Sequence, residues 1–500
     1  MLTENELLSL QNGSDVRGVA VDGIAGEPVN LTTEAVNRIA GGFVKFLVDK
    51  LGKPADKLKI AIGHDSRISA PALLKAACES LAAQGVEVLN CRLASTPAMF
   101  MSTVFPETKA DGSIMLTASH LPFNRNGMKF FTADGGLEKK DITALLKNAA
   151  TLPEQHGDAS AAKTYDLIGR YATHLRDKIS TALNSDKPFA GMKIIVDAGN
   201  GSGGFFAEKI LAPLGADTSG SQFLNPDGNF PNHIPNPEDK VAMASIQKAV
   251  LDNRADLGLI FDTDVDRAGA VLSDGKEVSR NALIAMISAI LAPDYPASTI
   301  VTDSVTSDEL ATFLEKNLGL KHHRFKRGYK NVINECIRLN KSGTVSPLAI
   351  ETSGHGALSE NYYLDDGAYL AVKILIAAAK LHAQGKDISA LIADLNYPAE
   401  SKEYRLNIVG ADDFKAYGQK VLDEFKARAV AKGLKLAEPN FEGVRINFDN
   451  GWALLRMSLH DPKMPINVES GAAGGCEKIT RTVKELLADF DHLDLKALAI

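Results

Sequence analysis

Short apolar runs alternate with amphipathic stretches through most of this 500-residue chain. Runs rich in Val, Ile and Leu predict strands, and stretches whose apolar residues recur every three or four positions predict helices. The clearest predicted strands are residues 58–62, 86–90, 193–197, 257–262, 268–272 and 299–303. The clearest predicted helices are residues 33–51, 70–84, 161–184 and 239–253. This alternation predicts mixed α/β layers.

A chain of this length is too long for one hydrophobic core and predicts three or four domains. Turn-rich segments interrupt the pattern near residue 155, at Asp274-Gly275 and near residue 398. The last segment differs, with strand-like runs at 443–448 and 452–459, a glycine-rich turn and a helix from Lys478, which predicts a smaller α+β unit. The predicted boundaries are 1–155 for domain I, 156–277 for domain II, 278–398 for domain III and 399–500 for domain IV.

The composition restricts the class of partner. A net charge of −7 argues against nucleic acid or an anionic membrane as the main partner, because both favour a basic surface. The four cysteines lack C-x-x-C spacing, so zinc or redox motifs are not expected, and isolated cysteines fit a reducing cytoplasm. No apolar run approaches the roughly 18 residues that span a bilayer, and the acidic, amphipathic start does not resemble a targeting segment. We expect a cytoplasmic protein.

The segment 117–129 carries a candidate nucleophile. Its sequence, T-A-S-H-L-P-F-N-R-N-G-M-K, sets Ser119 beside His120 in a loop that ends at Lys129. The apolar residues 114–116 predict the end of a buried strand, which would put Ser119 at the edge of a sheet where doubly wound folds place their chemistry. Serine needs a partner base or a metal to react at neutral pH. Taken alone, the Ser-His pair is also typical of a solvated turn.

Three carboxylates fall within five residues at Asp262, Asp264 and Asp266. Like charges this close repel, and a cation relieves the repulsion. An extended strand would hold Asp262 and Asp266 roughly 13 Å apart, so a shared ion requires the loop to curl. An EF-hand is excluded because Arg267 and Ser273 occupy its Gly and Glu positions. A magnesium loop and a solvated acidic turn remain as alternatives.

Two later segments carry groups that can bind hydroxyls or a phosphate. Glu351 and Ser353 lie two residues apart on a predicted turn, which suits hydrogen bonds to vicinal hydroxyls, and His355 follows with a side chain that titrates near neutrality. Arg456 and Ser458 follow a strand, and a glycine-rich turn opens the next helix, so together they could cradle a phosphate. A surface turn is the alternative for each segment.

Taken in order, these motifs resemble those of the α-D-phosphohexomutases of the phosphomannomutase/phosphoglucomutase type. The resemblance begins with D-V-R-G at 15–18 and covers nearly the whole chain. The chain departs from T-[AG]-S-H-N-P-x-x-x-N-G-x-K at Leu121, from D-G-D-x-D-R at Thr263 and from G-E-x-S-G-H at Ile350. It matches R-x-S-[NG]-T-E-P except at 459–461.

The resemblance implies three related α/β domains and a smaller C-terminal α+β domain around a central cleft. It implies a phosphohexomutase in which Ser119 carries the phosphoryl group, with Mg²⁺ as cofactor and a hexose 1,6-bisphosphate as intermediate and activator. The implied catalytic residues are Ser119, His120, Lys129, Arg17 and His355. The implied metal site is Ser119, Asp262, Asp264 and Asp266. The implied substrate-binding residues are Arg267, Lys330, Glu351, Ser353, His355, Arg456, Ser458 and His460. Hexose phosphates are the implied partners of a monomer or homodimer.

Several alternatives stay open at this stage. Mannose and glucose phosphates are the preferred substrates, and a phosphoglucosamine mutase is the alternative within the family. The departures at Leu121, Thr263 and 459–461 motivate a paralogue that binds sugar phosphates without catalysis. A phosphatase would use the same nucleophile with water as acceptor. The chain retains Ser119, the three aspartates of 262–266, and Glu351, Ser353 and His355, and this retention favours an enzyme.

Overall fold

The computed structural model describes residues 2–458 and 461–498. Its α-helices are α1 (Glu4–Ser9), α2 (Thr33–Leu51), α3 (Ala70–Ala83), α4 (Thr96–Met101), α5 (Lys139–Ala150), α6 (Leu167–Leu183), α7 (Lys240–Asn253), α8 (Arg280–Leu291), α9 (Asp308–Thr312), α10 (Tyr329–Lys341), α11 (Gly367–His382), α12 (Phe414–Ala431) and α13 (Gly475–Leu486). Its strands are β1 (Gln11–Asn12), β2 (Asp15–Val19), β3 (Lys59–His64), β4 (Glu87–Leu93), β5 (Gly112–Leu116), β6 (Arg125–Thr132), β7 (Gly135–Gly136), β8 (Lys163–Thr164), β9 (Ile194–Asp197), β10 (Leu257–Phe261), β11 (Ala268–Leu272), β12 (Glu277–Val278), β13 (Thr299–Thr302), β14 (Lys321–Arg324), β15 (Leu348–Ile350), β16 (Gly356–Leu358), β17 (Leu364–Asp365), β18 (Glu400–Ile408), β19 (Lys435–Leu436), β20 (Val444–Phe448), β21 (Gly451–Leu455), β22 (Lys463–Ser470) and β23 (Leu493–Asp494).

The chain forms two compact units. Unit 1 contains Met1–Leu283 and Ser353–Leu391, and unit 2 contains Ile284–Thr352 and Ile392–Ile500.

The first sheet of unit 1 has the order β1-β2-β6-β5-β3-β4-β8, with β7 paired to β6. Its central strands β4, β3 and β5 run parallel, and β6 runs antiparallel to β5. The helix α2 is capped by Thr32, whose side chain accepts from the Ala35 amide, and ends at Gly52 in the left-handed conformation. Its buried face, which includes Phe43, packs with α3 and α5 into the core of this sheet. The loop with Ser119 starts where β5 ends.

The second sheet of unit 1 has the order β12-β11-β10-β9. The strands β9 and β10 are parallel, and β11 returns antiparallel to β10. The helix α7 covers this sheet by packing Ile246 and Val250 into a buried cluster with Ile260. The acidic loop is the connection between β10 and β11, so the sheet places all three aspartates at its carboxyl edge.

Unit 2 contains the parallel strands β14, β13 and β15 and an antiparallel sheet of order β19-β20-β21-β22-β18-β23. The amphipathic helices α12 and α13 bury residues such as Phe425 and Val483 in the same cluster as Ile466 from β22. This arrangement confirms the expected α/β class and the smaller α+β segment at the C-terminal end.

The predicted elements correspond to observed ones, with two corrections. The helix predicted for 161–184 begins only at Leu167, because Asp166 caps it and the preceding residues form β8, which pairs with β4. The strand predicted for 452–459 ends at Leu455. The long strands β18 and β22 were not predicted, since β18 exposes most of its residues and lacks a continuous apolar run.

All four cysteines are buried and free. Within the described ranges, no helix has both the length and the apolar character that crossing a bilayer requires.

Candidate active site

Ser119 occupies a strained turn directly after β5. Its φ is +50°, in the left-handed region that residues with a side chain adopt rarely. Its amide donates to Thr117 Oγ1 at 2.9 Å. The Ser119 hydroxyl is buried and donates to Asp262 Oδ2 at 3.1 Å, and it lies 3.3 Å from His120 Nδ1. The turn therefore aims a hydroxyl at both an imidazole and the acidic loop.

Arg67 holds this turn by donating hydrogen bonds to the backbone carbonyls of the loop. The buried guanidinium donates to the carbonyls of Ser119 (2.5 Å), Leu121 (2.7 Å), Pro122 (2.6 Å) and Arg125 (2.9 Å). Asp65, fully buried, pairs with it at 3.2 Å. Backbone acceptors thus define the loop, and Leu121 in place of the expected Asn removes none of these anchors.

Arg17 fixes the start of the same loop. Its Nη1 donates to the Thr117 carbonyl at 2.8 Å, and its Nη2 pairs with Asp15 at 2.9 Å. Because β2 pairs with β6, Arg17 lies opposite Gly127 in the register. A Cβ on Gly127 would lie 2.2 Å from the Val16 carbonyl oxygen, so this position requires glycine.

The acidic loop curls, as a shared cation requires. Asp262, Asp264 and Asp266 are fully buried, and ligand oxygens from all three lie within 4.8 Å of one another. The curl passes through Val265, whose φ of +67° is strained for a β-branched residue. Thr263 has no positive φ, so this position of the loop does not demand the glycine of the family motif.

The charges of this cluster favour a bound cation. Burial and the neighbouring carboxylates of Asp266 and Asp264 raise the pKa of Asp262 well above its usual range. Lys129 Nζ lies 2.6 Å from Asp266 Oδ2 and 3.8 Å from Asp264 Oδ2, which compensates only part of the negative charge. The Oδ1 atoms of Asp264 and Asp266 are buried without a hydrogen-bond partner. Unsatisfied carboxylate oxygens around one point suit a hard cation such as Mg²⁺.

His355 and Asp365 extend the cluster. Arg267 Nε donates to His355 Nε2 at 2.9 Å, and His355 Nδ1 lies 2.6 Å from Asp365 Oδ2. Since Nε2 accepts, a proton belongs on Nδ1, and the imidazole lies between the guanidinium and the carboxylate. Ser353 lies in the same turn as His355. The side chain of His355 therefore orients Arg267 toward the acidic loop.

His120 is electrostatically distinct from an ordinary histidine. Burial, together with the positive charges of Arg267 and Arg17, lowers the pKa of His120 to about 2. The ring is neutral at physiological pH, and because the Ser119 hydroxyl donates its one proton to Asp262, a proton on His120 Nδ1 can donate to the Ser119 oxygen.

Unit 2 holds the remaining predicted residues that the structure describes. The amide of Gly328 donates to Glu351 Oε1 at 2.6 Å, and Lys330 lies in the first turn of α10. Buried Asp303 accepts from Thr352 Oγ1 at 2.7 Å and lies 4.0 Å from Arg327 Nε. Burial, with help from nearby Glu351 and Glu442, raises the pKa of Asp303 to about 7.

The phosphate-cradle residues follow β21. The backbone amide of Arg456 donates to the Pro465 carbonyl at 3.1 Å. The buried Nε of the Arg456 side chain has no hydrogen-bond partner. Burial and the charge of Arg327 lower the pKa of the Arg456 guanidinium. The Ser458 amide donates to the Lys463 carbonyl at 2.9 Å. His460 lies outside the described residues.

Unit 1 thus contains all of the predicted catalytic and metal-binding residues, which are Arg17, Ser119, His120, Lys129, Asp262, Asp264, Asp266 and His355. It also contains Arg267 and Ser353 from the predicted substrate-binding set. Unit 2 carries Lys330, Glu351, Arg456 and Ser458. The sequence did not indicate Asp303 or Glu442 as candidate site residues. The Glu442 carboxylate accepts hydrogen bonds from the Ser304 hydroxyl and the Arg327 amide. Single acidic residues in loops give no distinguishing signal, so only the spatial clustering of these carboxylates identifies them.

Comparisons with known proteins give one consistent result. Family models described as phosphoglucomutase/phosphomannomutase, alpha/beta/alpha domains I, II and III, match residues 9–156, 169–275 and 279–397. The phosphomannomutase/phosphoglucomutase of Pseudomonas aeruginosa (strain PAO1) is 28% identical over 490 residues, which cover 97% of this chain and 96% of that protein. The phosphoglucomutase of Neisseria gonorrhoeae is 27% identical over 88% of this chain and 91% of that protein.

Solved structures share the fold. The crystal structure of a phosphoglucomutase/phosphomannomutase family protein from Burkholderia thailandensis aligns with a TM-score of 0.77 at 24% identity, over 97% of this chain and 98% of that one. The open form of pp63/parafusin from Paramecium aligns with a TM-score of 0.73 at 17% identity, over 95% and 94%.

Proposed function

The chain belongs to the phosphoglucomutase/phosphomannomutase family, and from that membership we propose that it interconverts the 1- and 6-phosphates of mannose, glucose or both. The enzyme is an isomerase, an intramolecular phosphotransferase acting on hexose phosphates. Relatives named for both sugars support mannose and glucose as the hexoses.

The observation that carries the mechanism is the position of the Ser119 hydroxyl. It lies 3.1 Å from Asp262 and 3.3 Å from His120, in a strained turn beside three buried carboxylates. A hydroxyl in such a place is oriented for phosphoryl transfer, where positioning and charge neutralisation supply most of the catalysis.

In the proposed reaction, phosphorylated Ser119 donates its phosphoryl group to the free hydroxyl of a hexose monophosphate. The bond from phosphorus to Ser119 Oγ breaks, a bond from phosphorus to the sugar oxygen forms, and the proton of the sugar hydroxyl passes to Ser119 Oγ, directly or through a neighbouring side chain. The resulting 1,6-bisphosphate returns its other phosphoryl group to Ser119. Arg17, His120, Lys129 and His355 are proposed to stabilise the transferring charge or to move the proton.

The proposed roles of these groups differ. Lys129 is a cation already directed at the acidic loop, so it suits charge stabilisation. Neutral His120 suits a group that orients the Ser119 hydroxyl rather than a strong base, because its pKa is lowered to about 2. Arg267, with its planar guanidinium fixed by His355, suits a phosphoryl oxygen.

The metal proposed for the acidic loop is Mg²⁺. Asp262, Asp264 and Asp266 would hold it together with an oxygen on phosphorylated Ser119. The bound ion would neutralise charge on the phosphoryl oxygens. A hexose 1,6-bisphosphate would serve as activator by restoring the phosphorylated serine after the intermediate escapes.

The remaining proposed contacts bind substrate. Glu351 and Ser353 suit the sugar hydroxyls, and Lys330, Arg456 and Ser458 suit the phosphate that does not react. We also propose that His460 binds substrate, because it lies within the segment 456–462 that resembles the family's C-terminal motif. We further propose domain boundaries after residues 155, 277 and 398, a cytoplasmic location, and a monomer or homodimer that binds neither nucleic acid nor membrane.

The test is a coupled mutase assay with Mg²⁺ and a trace of hexose 1,6-bisphosphate. Glucose 1-phosphate, mannose 1-phosphate and glucosamine 1-phosphate are offered in parallel, with Ser119→Ala as the blank. Turnover of glucose or mannose 1-phosphate supports the proposal. Turnover of glucosamine 1-phosphate alone would reassign the substrate, and release of free phosphate without isomerisation would indicate a phosphatase.

A further inference from the structure

Tyr171 lies on α6, outside every motif considered above. Its side chain is buried, with 1% of the residue exposed. The phenol hydroxyl lies 2.7 Å and 2.6 Å from the two carboxylate oxygens of Asp366, which is 195 residues further along the chain. One hydroxyl proton shared between two oxygens restrains the carboxylate from rotating.

Asp366 is the cap of helix α11. Its Oδ1 accepts from the Tyr369 amide at 2.8 Å, and its Oδ2 accepts from Asn361 Nδ2 at 3.0 Å. Each oxygen therefore has one fixed donor, and Tyr171 adds a donor that spans both. The orientation of this carboxylate determines where α11 begins.

The first residue of α11 rests on the acidic loop. The Gly367 amide donates to the Val265 carbonyl at 3.2 Å. A Cβ on Gly367 would lie 2.5 Å from the carbonyl carbon of Arg267, so the helix end and the loop are in close backbone contact. Val265 is the strained residue between Asp264 and Asp266, and strained backbone persists only where its surroundings hold it.

We propose that Tyr171 is a positioning residue for the metal loop. Its hydroxyl fixes Asp366, Asp366 fixes the start of α11, and the Gly367 amide then holds Val265 in the conformation that directs Asp264 and Asp266 to a common point. The same restraint places Asp365, the neighbour of Asp366, against His355. This inference rests on the proposed metal site and extends it to a residue that touches neither metal nor substrate.

The test measures Mg²⁺ affinity by calorimetry on the full-length enzyme, at a temperature where circular dichroism shows each variant folded. Tyr171→Phe removes one hydroxyl and keeps the ring. Loss of a group that bonds a metal ligand directly weakens metal binding about 10- to 100-fold, and Tyr171 acts through intervening groups, so we expect a smaller loss of about fivefold. Tyr369→Phe is the matched control, because it removes a phenol hydroxyl from α11 that donates to Glu360 at 3.0 Å and leaves the Tyr369 amide on Asp366. We expect the control to bind Mg²⁺ within twofold of wild type.

A double variant separates positioning from general destabilisation. If Tyr171 acts through Asp366, Tyr171→Phe combined with Asp366→Asn binds Mg²⁺ no more weakly than Asp366→Asn alone. A merely structural role lowers the melting temperature of Tyr171→Phe but leaves its Mg²⁺ affinity unchanged, and that result overturns the inference. Equal weakening in Tyr369→Phe, or additive losses in the double variant, also overturns it. Wild-type enzyme that binds no Mg²⁺ would instead contradict the proposed metal site itself.

Discussion

At the scale of single residues, the site depends on two strained backbone positions. Ser119 and Val265 both have positive φ, and neither is glycine. Such conformations cost of order 1–3 kcal/mol each and persist where neighbouring groups determine them. Arg67 supplies this restraint for Ser119 and the Gly367 amide supplies it for Val265. Both strained residues carry or separate the groups that the proposed chemistry needs.

Replacing Ser119 by Ala removes the proposed phosphoryl carrier. We expect mutase activity to fall at least a thousandfold while the fold is retained, because the exchange removes one oxygen and keeps the Cβ. The intact mass should also lose any phosphoryl group. The matched control is Ser80→Ala, a buried serine on α3 whose hydroxyl has no hydrogen-bond partner. Activity of Ser119→Ala within tenfold of wild type would rule out this nucleophile.

Arg67→Lys keeps the charge but cannot reach four carbonyl acceptors at once. We expect about 2 kcal/mol of destabilisation, from buried carbonyls left unpaired, and a fall in kcat of the folded enzyme. Arg38→Lys is the control, since Arg38 is equally buried and donates to the carbonyls of Leu2, Ala149 and Ala150. The control should lose stability and keep kcat. Equal kcat in both variants would show that Arg67 serves stability alone.

At the scale of elements, two adjacent glycines in α2 differ in what surrounds them. A Cβ on Gly42 would lie 2.5 Å from the Leu145 carbonyl oxygen and 2.8 Å from the Ala149 amide of α5. A Cβ on Gly41 would meet side-chain atoms of Ser80, Leu152 and Gln84 at 3.0–3.2 Å, and side chains can move. The contact between α2 and α5 is therefore a backbone contact at Gly42.

Alanine at either position raises helix propensity by the same amount, about 1 kcal/mol. We expect Gly42→Ala to destabilise by about 1–3 kcal/mol through overpacking, and Gly41→Ala to change stability little. Urea unfolding of the two variants compares them in one experiment. Equal stability of both would show that α5 moves freely away from α2.

A buried ion pair at the end of β9 makes stability depend on pH. His233 Nε2 lies 3.0 Å from Asp197 Oδ2, and its Nδ1 lies 2.9 Å from the Ile234 carbonyl. Both ring nitrogens face acceptors, so both carry protons. Burial lowers the pKa of His233, but the hydrogen bond and charge of Asp197 outweigh it, and the pKa is raised overall.

Because the folded pKa exceeds the unfolded value of about 6.5, this contribution to stability is complete below that value and is lost as pH rises through the folded pKa. We expect the difference in urea midpoint between wild type and His233→Gln to shrink as pH rises from 6 to 9. A constant difference over this range would show that folding does not raise the pKa of His233.

At the scale of the whole molecule, Mg²⁺ should stabilise unit 1, because three buried carboxylates repel one another without it. A ligand that binds only the folded state adds about 2.7 kcal/mol at a hundred times its Kd. We expect Mg²⁺ to slow hydrogen exchange of the segments around Asp264 and Val265, and EDTA to reverse the effect. Asp264→Asn should abolish most of this protection, and an unchanged Mg²⁺ titration in that variant would place the metal elsewhere.

The fluorescence of one residue, Trp452, can report on the unfolding of unit 2. Trp452 is the sole tryptophan of the chain, is buried in unit 2, and donates from Nε1 to Glu469 at 3.1 Å. Its fluorescence therefore monitors unfolding of unit 2, while the exchange experiment monitors unit 1.

Each helix and strand predicted from a local pattern corresponds to an observed element, but many of the observed elements were not predicted. The helix α2 was predicted with its observed bounds, and in the structure Thr32 and Gly52 cap its two ends. Residues 161–166 were assigned to a helix in error, because β8 forms through pairing with β4, whose Leu89 is 74 residues away from Lys163, and no local propensity encodes that partner. The exposed strand β18 was missed for the same reason. Pairing with distant strands overrides or creates structure where periodicity is weak.

By itself, the sequence determined the order of the motifs and the α/β class, and it indicated Ser119, the three aspartates, Glu351, Ser353 and His355 as candidates, since these depend on residue type and spacing. Only the tertiary structure decided which groups meet. Lys129 reaches Asp266 across 137 residues, and Tyr171 reaches Asp366 across 195. The tertiary structure also decided that Ser119 and Val265 adopt the left-handed backbone conformation. Contacts with distant segments hold this strain, and because neither residue is glycine, the local sequence gives no sign of it.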